Sequence, residues 1–226
     1  MDRSIDVNES HSDLFSPEQS ALLVIDFQND LCHPDGIAAK SAGRSIKSVR
    51  AAIDNTKRLN RTARENDVQI VYIHLTALPE HKSDSPAWRA VRQQATYATP
   101  AMVLEGTRGH QTVDELAPQS ADLLINKFRY SGFAGNNLDL LLRSEEISPL
   151  ILAGCSSNVY ITSTAFDAIN HDYHVVVPED CIASWDDDLH AAALQTIRHR
   201  IGRVTVSTEL IARWRGEAPL QVGGEN

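Results

Sequence analysis

Short apolar runs alternate with amphipathic segments along most of this 226-residue chain. The runs are rich in β-branched side chains and apolar at consecutive positions, which is typical of strands buried on both faces of a parallel sheet. They predict six strands, at residues 21–27, 68–74, 122–127, 150–155, 174–178 and 204–207.

Between most of these runs the apolar spacing changes to the helical period. In residues 45–65, for example, Ile46, Val49, Ile53 and Leu59 recur at roughly helical spacing. Strands that alternate with helices predict one α/β domain, in which a six-stranded, mostly parallel sheet of Rossmann type has helices on both faces and right-handed crossovers. Further helical patterns cover residues 138–143, 159–169 and 187–199.

Residues 76–116 break this alternation, because they contain several prolines and glycines and show weak periodicity. A stretch that long between strands is usually functional or part of an interface. We therefore expect a lid or a subunit interface there. The domain is expected to span residues 20–215, between a flexible lead-in over residues 1–19 and a flexible tail over residues 216–226.

Composition and charge indicate which kinds of molecule the protein binds. The net charge of −9 argues against nonspecific binding to nucleic acid or to anionic membranes, since both need a basic surface. No apolar run approaches the roughly 18 residues of a membrane span, and the N-terminus lacks the features of a signal peptide. Three cysteines without CxxC spacing suit a reducing compartment. A cytoplasmic protein that binds a small molecule is the expectation.

Three polar positions fall at or just beyond the carboxyl ends of predicted strands. Asp26 ends the first strand and Lys127 ends the third, while Tyr160 lies in the first helical turn after the fourth. Ligands of open α/β sheets bind at this edge, where the strand order reverses. We therefore expect the three side chains to share one site.

Five motifs surround these positions in the same order along the chain. They are VIDFQND at 24–30, EGT at 105–107, KFRYSGF at 127–133, GCSSNVYITSTAFDA at 154–168 and VPED at 177–180. Together they resemble the isochorismatase-like hydrolase superfamily, which includes nicotinamidases, carbamoylsarcosine amidases, ureidoacrylate amidases and isochorismatases. The resemblance covers roughly residues 21–214, nearly the whole chain, and implies a homo-oligomer, either a dimer or a tetramer.

The resemblance also implies roles for the three positions. Asp26 matches the acid/base aspartate of the family and Lys127 matches its lysine, but Tyr160 stands where the amidases have a nucleophilic cysteine. A phenol, with an ordinary pKa of about 10, is a poor substitute for a thiolate. It is also bulkier, so it would fill the volume that an acyl group needs.

Three functional hypotheses remain open. In the first, a hydrolase without a thiol nucleophile uses Asp26 and Lys127 with direct attack by water. Isochorismatases give it a precedent, because they also lack the cysteine and hydrolyse a vinyl ether by acid catalysis. In the second, an amidase uses Cys155, five residues before Tyr160, as a displaced nucleophile. The third is a catalytically inactive binding or scaffold protein.

The resemblance suggests a substrate-binding set around these positions. In the family, the loop after the fourth strand often contains a cis peptide bond not involving proline, and it supplies oxyanion-hole amides. The amides near Ser156 and Tyr160 are the candidates for that role here. The residues expected to contact the substrate are Phe27, Gln28, Arg129, Tyr130, Ser156 and Ser157.

The histidines do not form a recognisable metal-binding pattern. Nicotinamidases bind metal through an Asp-x-His motif and a further histidine, whereas here His74 and His81 stand seven residues apart without that motif. We therefore predict no metal and no other cofactor.

Overall fold

The computed structural model describes residues 15–42, 45–94 and 99–217. Within these ranges, seven strands form one sheet in which every pairing is parallel. They are β1 (Ala21–Ile25), β2 (Gln69–Leu75), β3 (Leu123–Lys127), β4 (Pro149–Cys155), β5 (His174–Pro178), β6 (Ile182–Ala183) and β7 (Arg203–Thr205).

The strand order is β3-β2-β1-β4-β5-β7, and β6 pairs with the last two residues of β4. All six predicted strands are present, so the α/β class is confirmed, but the predicted count of six was one too low. The sequence prediction missed β6, and it ended β7 too late because Ser207 begins a helix. The order reverses between β1 and β4, which places the ligand-binding edge beyond these two strands.

Eight α-helices connect or flank the strands in the described part of the chain. Helix α6 is preceded by one π-helical turn, Ser157–Ile161. The helices are α1 (Asn29–Cys32), α2 (Ile37–Ala42), α3 (Lys47–Glu65), α4 (Pro86–Gln93), α5 (Leu138–Ser144), α6 (Thr162–Asn170), α7 (Asp187–Arg200) and α8 (Ser207–Trp214).

The core is centred on β1 and β4, whose residues are all buried. Their close approach depends on Gly154, which pairs with Ile25 at a φ of +152°. A Cβ atom on Gly154 would lie 2.1 Å from the Ile25 carbonyl oxygen, so a larger residue would force the central strands apart. Helices α3 and α8 pack together, and so do α6 and α7, which gives the helical layers of the fold.

The irregular segment 76–116 contains α4, which the sequence prediction missed. Ser85 caps this helix by accepting a hydrogen bond from the Trp88 amide, and Pro86 occupies its first position. The segment then returns to the loop after β1, where the Asn29 amide donates to the Gln111 carbonyl at 2.9 Å. It therefore covers the carboxyl edge of the sheet near Asp26. A lid or interface role stays a prediction.

At the N-terminal side, Phe15 is buried and lies against the guanidinium groups of Arg203 and Arg213. The rest of the expected lead-in, up to residue 14, and the tail from residue 218 lie outside the described residues. Among the described residues no helix combines the length and the apolar character needed to cross a bilayer.

Candidate active site

Asp26 directly follows β1 and has a φ of +56°, in the left-handed region that non-glycine residues seldom adopt. Its amide donates to the Ile73 carbonyl at 2.9 Å, and its Oδ1 accepts from the Leu75 amide at 2.7 Å. The backbone of β2 therefore fixes both the main chain and the carboxylate of Asp26.

Lys127, at the end of β3, reaches this carboxylate from two strands away. Its Nζ lies 2.8 Å from Asp26 Oδ2, and neither side chain is exposed to solvent. The same ammonium donates to the carbonyl oxygens of Arg129 at 3.1 Å and Tyr130 at 3.0 Å. Two backbone carbonyl oxygens and one ion-pair contact therefore hold the ammonium in place.

Burial governs the electrostatics of the Asp26–Lys127 pair. It raises the pKa of the Asp26 carboxyl, against the opposing effects of Lys127 and of the Leu75 amide. It also lowers the pKa of Lys127, against the attraction of Asp26. Both groups are therefore shifted toward their neutral forms, which reduces the cost of moving a proton at this site.

Tyr160 lies in the π-helical turn before α6 and is only 5% exposed. Its ring centre is 4.3 Å from the Lys127 ammonium, an approach typical of a cation–π contact. Tyr130 lies 5.9 Å from this ring, and Trp88 lies 4.7 Å from Tyr130, measured between ring centres. Three aromatic side chains thus form a layer beside the buried pair.

The Tyr160 amide, which was expected to bind an oxyanion, forms a hydrogen bond within the π-helical turn. The Tyr160 amide donates to the Ser156 carbonyl at 3.0 Å. The peptide bond between Cys155 and Ser156 is cis, as the family resemblance suggested. Ser157 is fully buried, and its hydroxyl lies 2.9 Å from His190 Nδ1 on α7. The side chain of Ser157 is therefore engaged with α7.

Cys155 is fully buried, and its thiol is within hydrogen-bonding reach of Cys32. Cys32 in turn donates to the Asp26 carbonyl oxygen at 3.6 Å, and burial raises the pKa of its thiol. Within the described residues, no hydrogen bond joins Cys155 to the Asp26 carboxylate or to Lys127. Its thiol is thus placed next to another thiol.

The side chain of Gln28 links the loop after β1 to the backbone of Leu75 and of His110 by hydrogen bonds. Its Nε2 donates to the carbonyl oxygens of Leu75 at 2.9 Å and His110 at 2.7 Å, while its Oε1 accepts from the Leu75 amide at 3.0 Å. The side-chain amide therefore has backbone partners on both sides. Phe27 is 1% exposed and belongs to the core cluster.

Arg129 and Tyr130 are half-buried on the loop after β3. The Arg129 Nη1 donates to the Ser83 carbonyl at 3.1 Å, and its guanidinium carbon lies 5.0 Å from the Trp88 ring centre. Trp88 therefore contacts the candidate site through Arg129 and Tyr130.

A second buried polar network lies behind Asp26 and was not predicted. His74 Nε2 lies 2.7 Å from Thr112 Oγ1, and His110 Nε2 lies 2.8 Å from Thr76 Oγ1. The two imidazole rings are 5.3 Å apart, and burial lowers the pKa of His74 to about 4. The described ranges contain no group of three or more His, Cys, Asp or Glu side chains that could hold a metal ion.

Comparison with known proteins adds to this geometry. Residues 20–209 match the isochorismatase domain family. Ureidoacrylate amidohydrolase RutB from Yersinia enterocolitica is 32% identical over 202 residues, which cover 84% of this chain and 87% of that protein. The protein of the same name from Rhizobium rhizogenes is 29% identical over 218 residues, covering 91% of this chain and 87% of that protein.

Solved structures show the same fold. A cysteine hydrolase from Pseudomonas syringae pv. phaseolicola superposes with a TM-score of 0.77 at 24% identity, covering 88% of this chain and 94% of that one. N-carbamoylsarcosine amidase from Thermoplasma acidophilum gives a TM-score of 0.67 at 25% identity, covering 84% of this chain and 98% of that one.

Proposed function

Because the chain belongs to the isochorismatase family of hydrolases, we propose that it hydrolyses a small molecule without a thiol nucleophile. Asp26 and Lys127 are the reacting ionisable groups, and water is the nucleophile. The observation that carries this proposal is the ion pair of 2.8 Å between two fully buried side chains. Burying two charges costs stability unless other contacts compensate, so the pair supports a chemical role.

The relatives named ureidoacrylate amidohydrolase favour an amide-type C–N bond as the target. Asp26 takes a proton from water as the water oxygen attacks the carbonyl carbon. Lys127 stabilises the negative charge that develops on the carbonyl oxygen. Asp26 then returns the proton to the leaving nitrogen as the C–N bond breaks, so the enzyme ends in its starting state.

The aromatic side chains beside the buried pair affect how a substrate can reach it. Asp26 and Lys127 have no exposed surface, and the rings of Tyr160, Tyr130 and Trp88 lie beside them. A substrate therefore reaches the pair only when the side chains that cover it move, and the Tyr160 ring, 4.3 Å from the Lys127 ammonium, is one of them. The raised pKa of Asp26 suits a group that accepts and returns a proton within one cycle.

The test compares Asp26→Asn with Tyr160→Phe. Ammonia release from a panel of small amides and ureido acids is measured for each variant. We expect Asp26→Asn to abolish turnover and Tyr160→Phe to retain it. Asp35→Asn removes an exposed carboxylate as the matched control and should match the native protein. Native turnover in Asp26→Asn would contradict this mechanism.

A second candidate is a binding protein without catalysis. The Tyr160 ring favours it, because the ring lies against the Lys127 ammonium and the family resemblance assigns position 160 to the amidase cysteine. Tyr160→Cys should then create amidase activity in an otherwise inactive protein. Robust turnover by the native chain would reject this function.

The contacts of Cys155 weigh against the displaced-nucleophile hypothesis, since its thiol lies beside Cys32. A Cys155→Ser variant should keep native turnover if water attacks directly. Loss of activity in Cys155→Ser, together with inhibition by iodoacetamide that labels Cys155, would restore the thiol mechanism.

A further inference from the structure

A concave site separate from the Asp26–Lys127 pair lies at the same edge of the sheet. It opens between the chain that leaves β2 and the chain that leaves β3, with a cavity volume of about 470 Å³. Its walls include Leu78, Lys82, Ser83, Phe128, Arg129 and Ala134.

Hydrogen bonds through Ser83 join the two walls of this cavity. The Ser83 hydroxyl accepts from the Leu78 amide at 3.0 Å, which closes the turn after β2. The Ser83 carbonyl accepts from Arg129 Nη1 at 3.1 Å, which links that turn to the loop after β3. The site is therefore formed before any ligand binds, which lowers the cost of binding.

The charge of the cavity opposes that of the whole chain. Among the residues that the structure describes, Lys82 and Arg129 line it and no carboxylate does, although the protein carries a net charge of −9. Lys82 pairs with the exposed Glu80 at 3.1 Å, a contact that solvent weakens. In the part of the chain that the structure describes, no carboxylate lies within ion-pairing distance of Arg129.

The larger groove along α3 lacks this property. It is lined by Lys57, Arg58, Arg61 and Arg64, but also by Glu65, Asp114 and Glu115, so acidic groups in the same wall offset most of its positive charge. The cavity beside Arg129 is the stronger anion site, because its positive charges are not matched by acidic groups in its own wall.

The remaining walls are apolar. Leu78, Phe128 and Ala134 are half-buried, so they present hydrocarbon surface to the cavity. A guanidinium at an apolar wall suits a ligand with a planar anionic head and a short apolar body, since the guanidinium fork matches a carboxylate.

We propose that this cavity binds a small organic carboxylate, with the carboxylate on Arg129 and the apolar body on Leu78 and Phe128. Lys82 adds a second positive charge at the rim. The site also touches the reacting centre, because the Arg129 carbonyl accepts from Lys127 and the Arg129 guanidinium lies 5.0 Å from the Trp88 ring. A bound carboxylate draws the guanidinium toward the cavity and so changes its contact with Trp88.

The test is calorimetric titration of the full-length protein with cyclohexanecarboxylate and with the neutral cyclohexanecarboxamide. We expect the carboxylate to bind about tenfold or more tightly than the amide, since hydrogen bonds to charged groups are the stronger ones. Arg129→Gln should lose at least about tenfold in affinity for the carboxylate. Arg89→Gln, which removes an exposed guanidinium on α4, should bind like the native protein.

Two further variants keep the proposal testable if Arg129→Gln fails to fold. Ala134→Phe fills the cavity and leaves Arg129 in place, so it should also abolish binding. Trp88→Phe should remove the change in tryptophan fluorescence that accompanies binding in the native protein, while carboxylate binding itself persists.

Equal affinity for the acid and the amide would overturn the proposal, as would native affinity in both Arg129→Gln and Ala134→Phe. Inorganic phosphate that binds as tightly as the carboxylate would overturn the assigned ligand class. Binding is measured without turnover, and it should persist in Asp26→Asn. Failure of the hydrolase mechanism and failure of this proposal are therefore distinguishable.

Discussion

The Lys127 ammonium lies 4.3 Å from the centre of the Tyr160 ring and 2.8 Å from Asp26 Oδ2. The ring attracts the cation without forming a hydrogen bond to it. Tyr160 therefore stabilises the charge of a lysine side chain that is not exposed to solvent. The tyrosine and the ion pair therefore form one unit.

The first prediction concerns the ring of Tyr160. Tyr160→Leu removes a buried aromatic ring and its contact with Lys127, so we expect it to lower the free energy of unfolding by about 2–4 kcal/mol. Tyr160→Phe keeps the ring and should cost no more than about 1.5 kcal/mol. Urea denaturation of both variants measures the difference, and equal losses would contradict a stabilising ring.

The second prediction concerns the ion pair. Asp26→Asn and Lys127→Met each leave one buried group without its partner, so each should cost about 3–5 kcal/mol of stability. The double variant should lose less than the sum of the two, because neither buried charge remains. A double-mutant cycle by chemical denaturation tests this, and strict additivity would show that the two side chains act independently.

The third prediction concerns the pH dependence of turnover. Asp26 must be ionised to accept a proton, and burial raises its pKa, so the acid limb of kcat/KM should lie above the ordinary carboxyl value of roughly 4. Burial also lowers the pKa of Lys127, so the alkaline limb should lie below the ordinary lysine value of about 10.4. Tyr160→Phe should leave both limbs in place, and an acid limb at or below pH 4 would rule out Asp26 as the base.

The fourth prediction concerns His74, whose pKa is lowered by burial to about 4. Between pH 6.5 and pH 4 the unfolded chain binds a proton at this histidine that the folded protein does not. Stability should therefore fall as the pH drops through this window, by up to about 3 kcal/mol from His74 alone.

Asp26 acts in the opposite direction, because its raised pKa makes the folded protein the better proton binder at that position. The contribution of His74 is therefore isolated by comparing native protein with His74→Gln at pH 7, 5.5 and 4.5. The variant should show a smaller loss on acidification. His81→Gln removes an exposed histidine and should follow the native curve.

The predicted strands were recognisable because each contains consecutive apolar residues, which are buried along most of β1, β2, β4 and β5. Short or exposed elements without such a run were missed. Ile182 and Ala183 make a strand of only two residues, too short for any period to be recognised. Helix α4 buries only Trp88 and begins with Pro86, so its proline suggested an interruption where it starts a helix. Ser207 continued an apolar run, yet its amide and hydroxyl donate to Asp180, which caps α8.

At the site, the sequence predicted Asp26 and Lys127 at one edge of the sheet, and the ion pair joins them there. It could not predict the backbone partners of that pair, because the amide of Leu75 and the carbonyls of Arg129 and Tyr130 are independent of side-chain identity. Nor could it predict that the thiol of Cys155 would lie beside Cys32, since strand alternation alone does not reveal which loop covers a face.

The Leu75 amide hydrogen is shared by Asp26 Oδ1 and Gln28 Oε1, in a region without access to solvent. Such a hydrogen exchanges with deuterated water only when the sheet opens. Its protection therefore reports whether the structure around Asp26 is intact in any variant, independently of any substrate. A substitution at position 160 that abolishes turnover but leaves the Leu75 amide protected from exchange has changed the chemistry. A substitution that lets the Leu75 amide exchange faster has destabilised the fold around it.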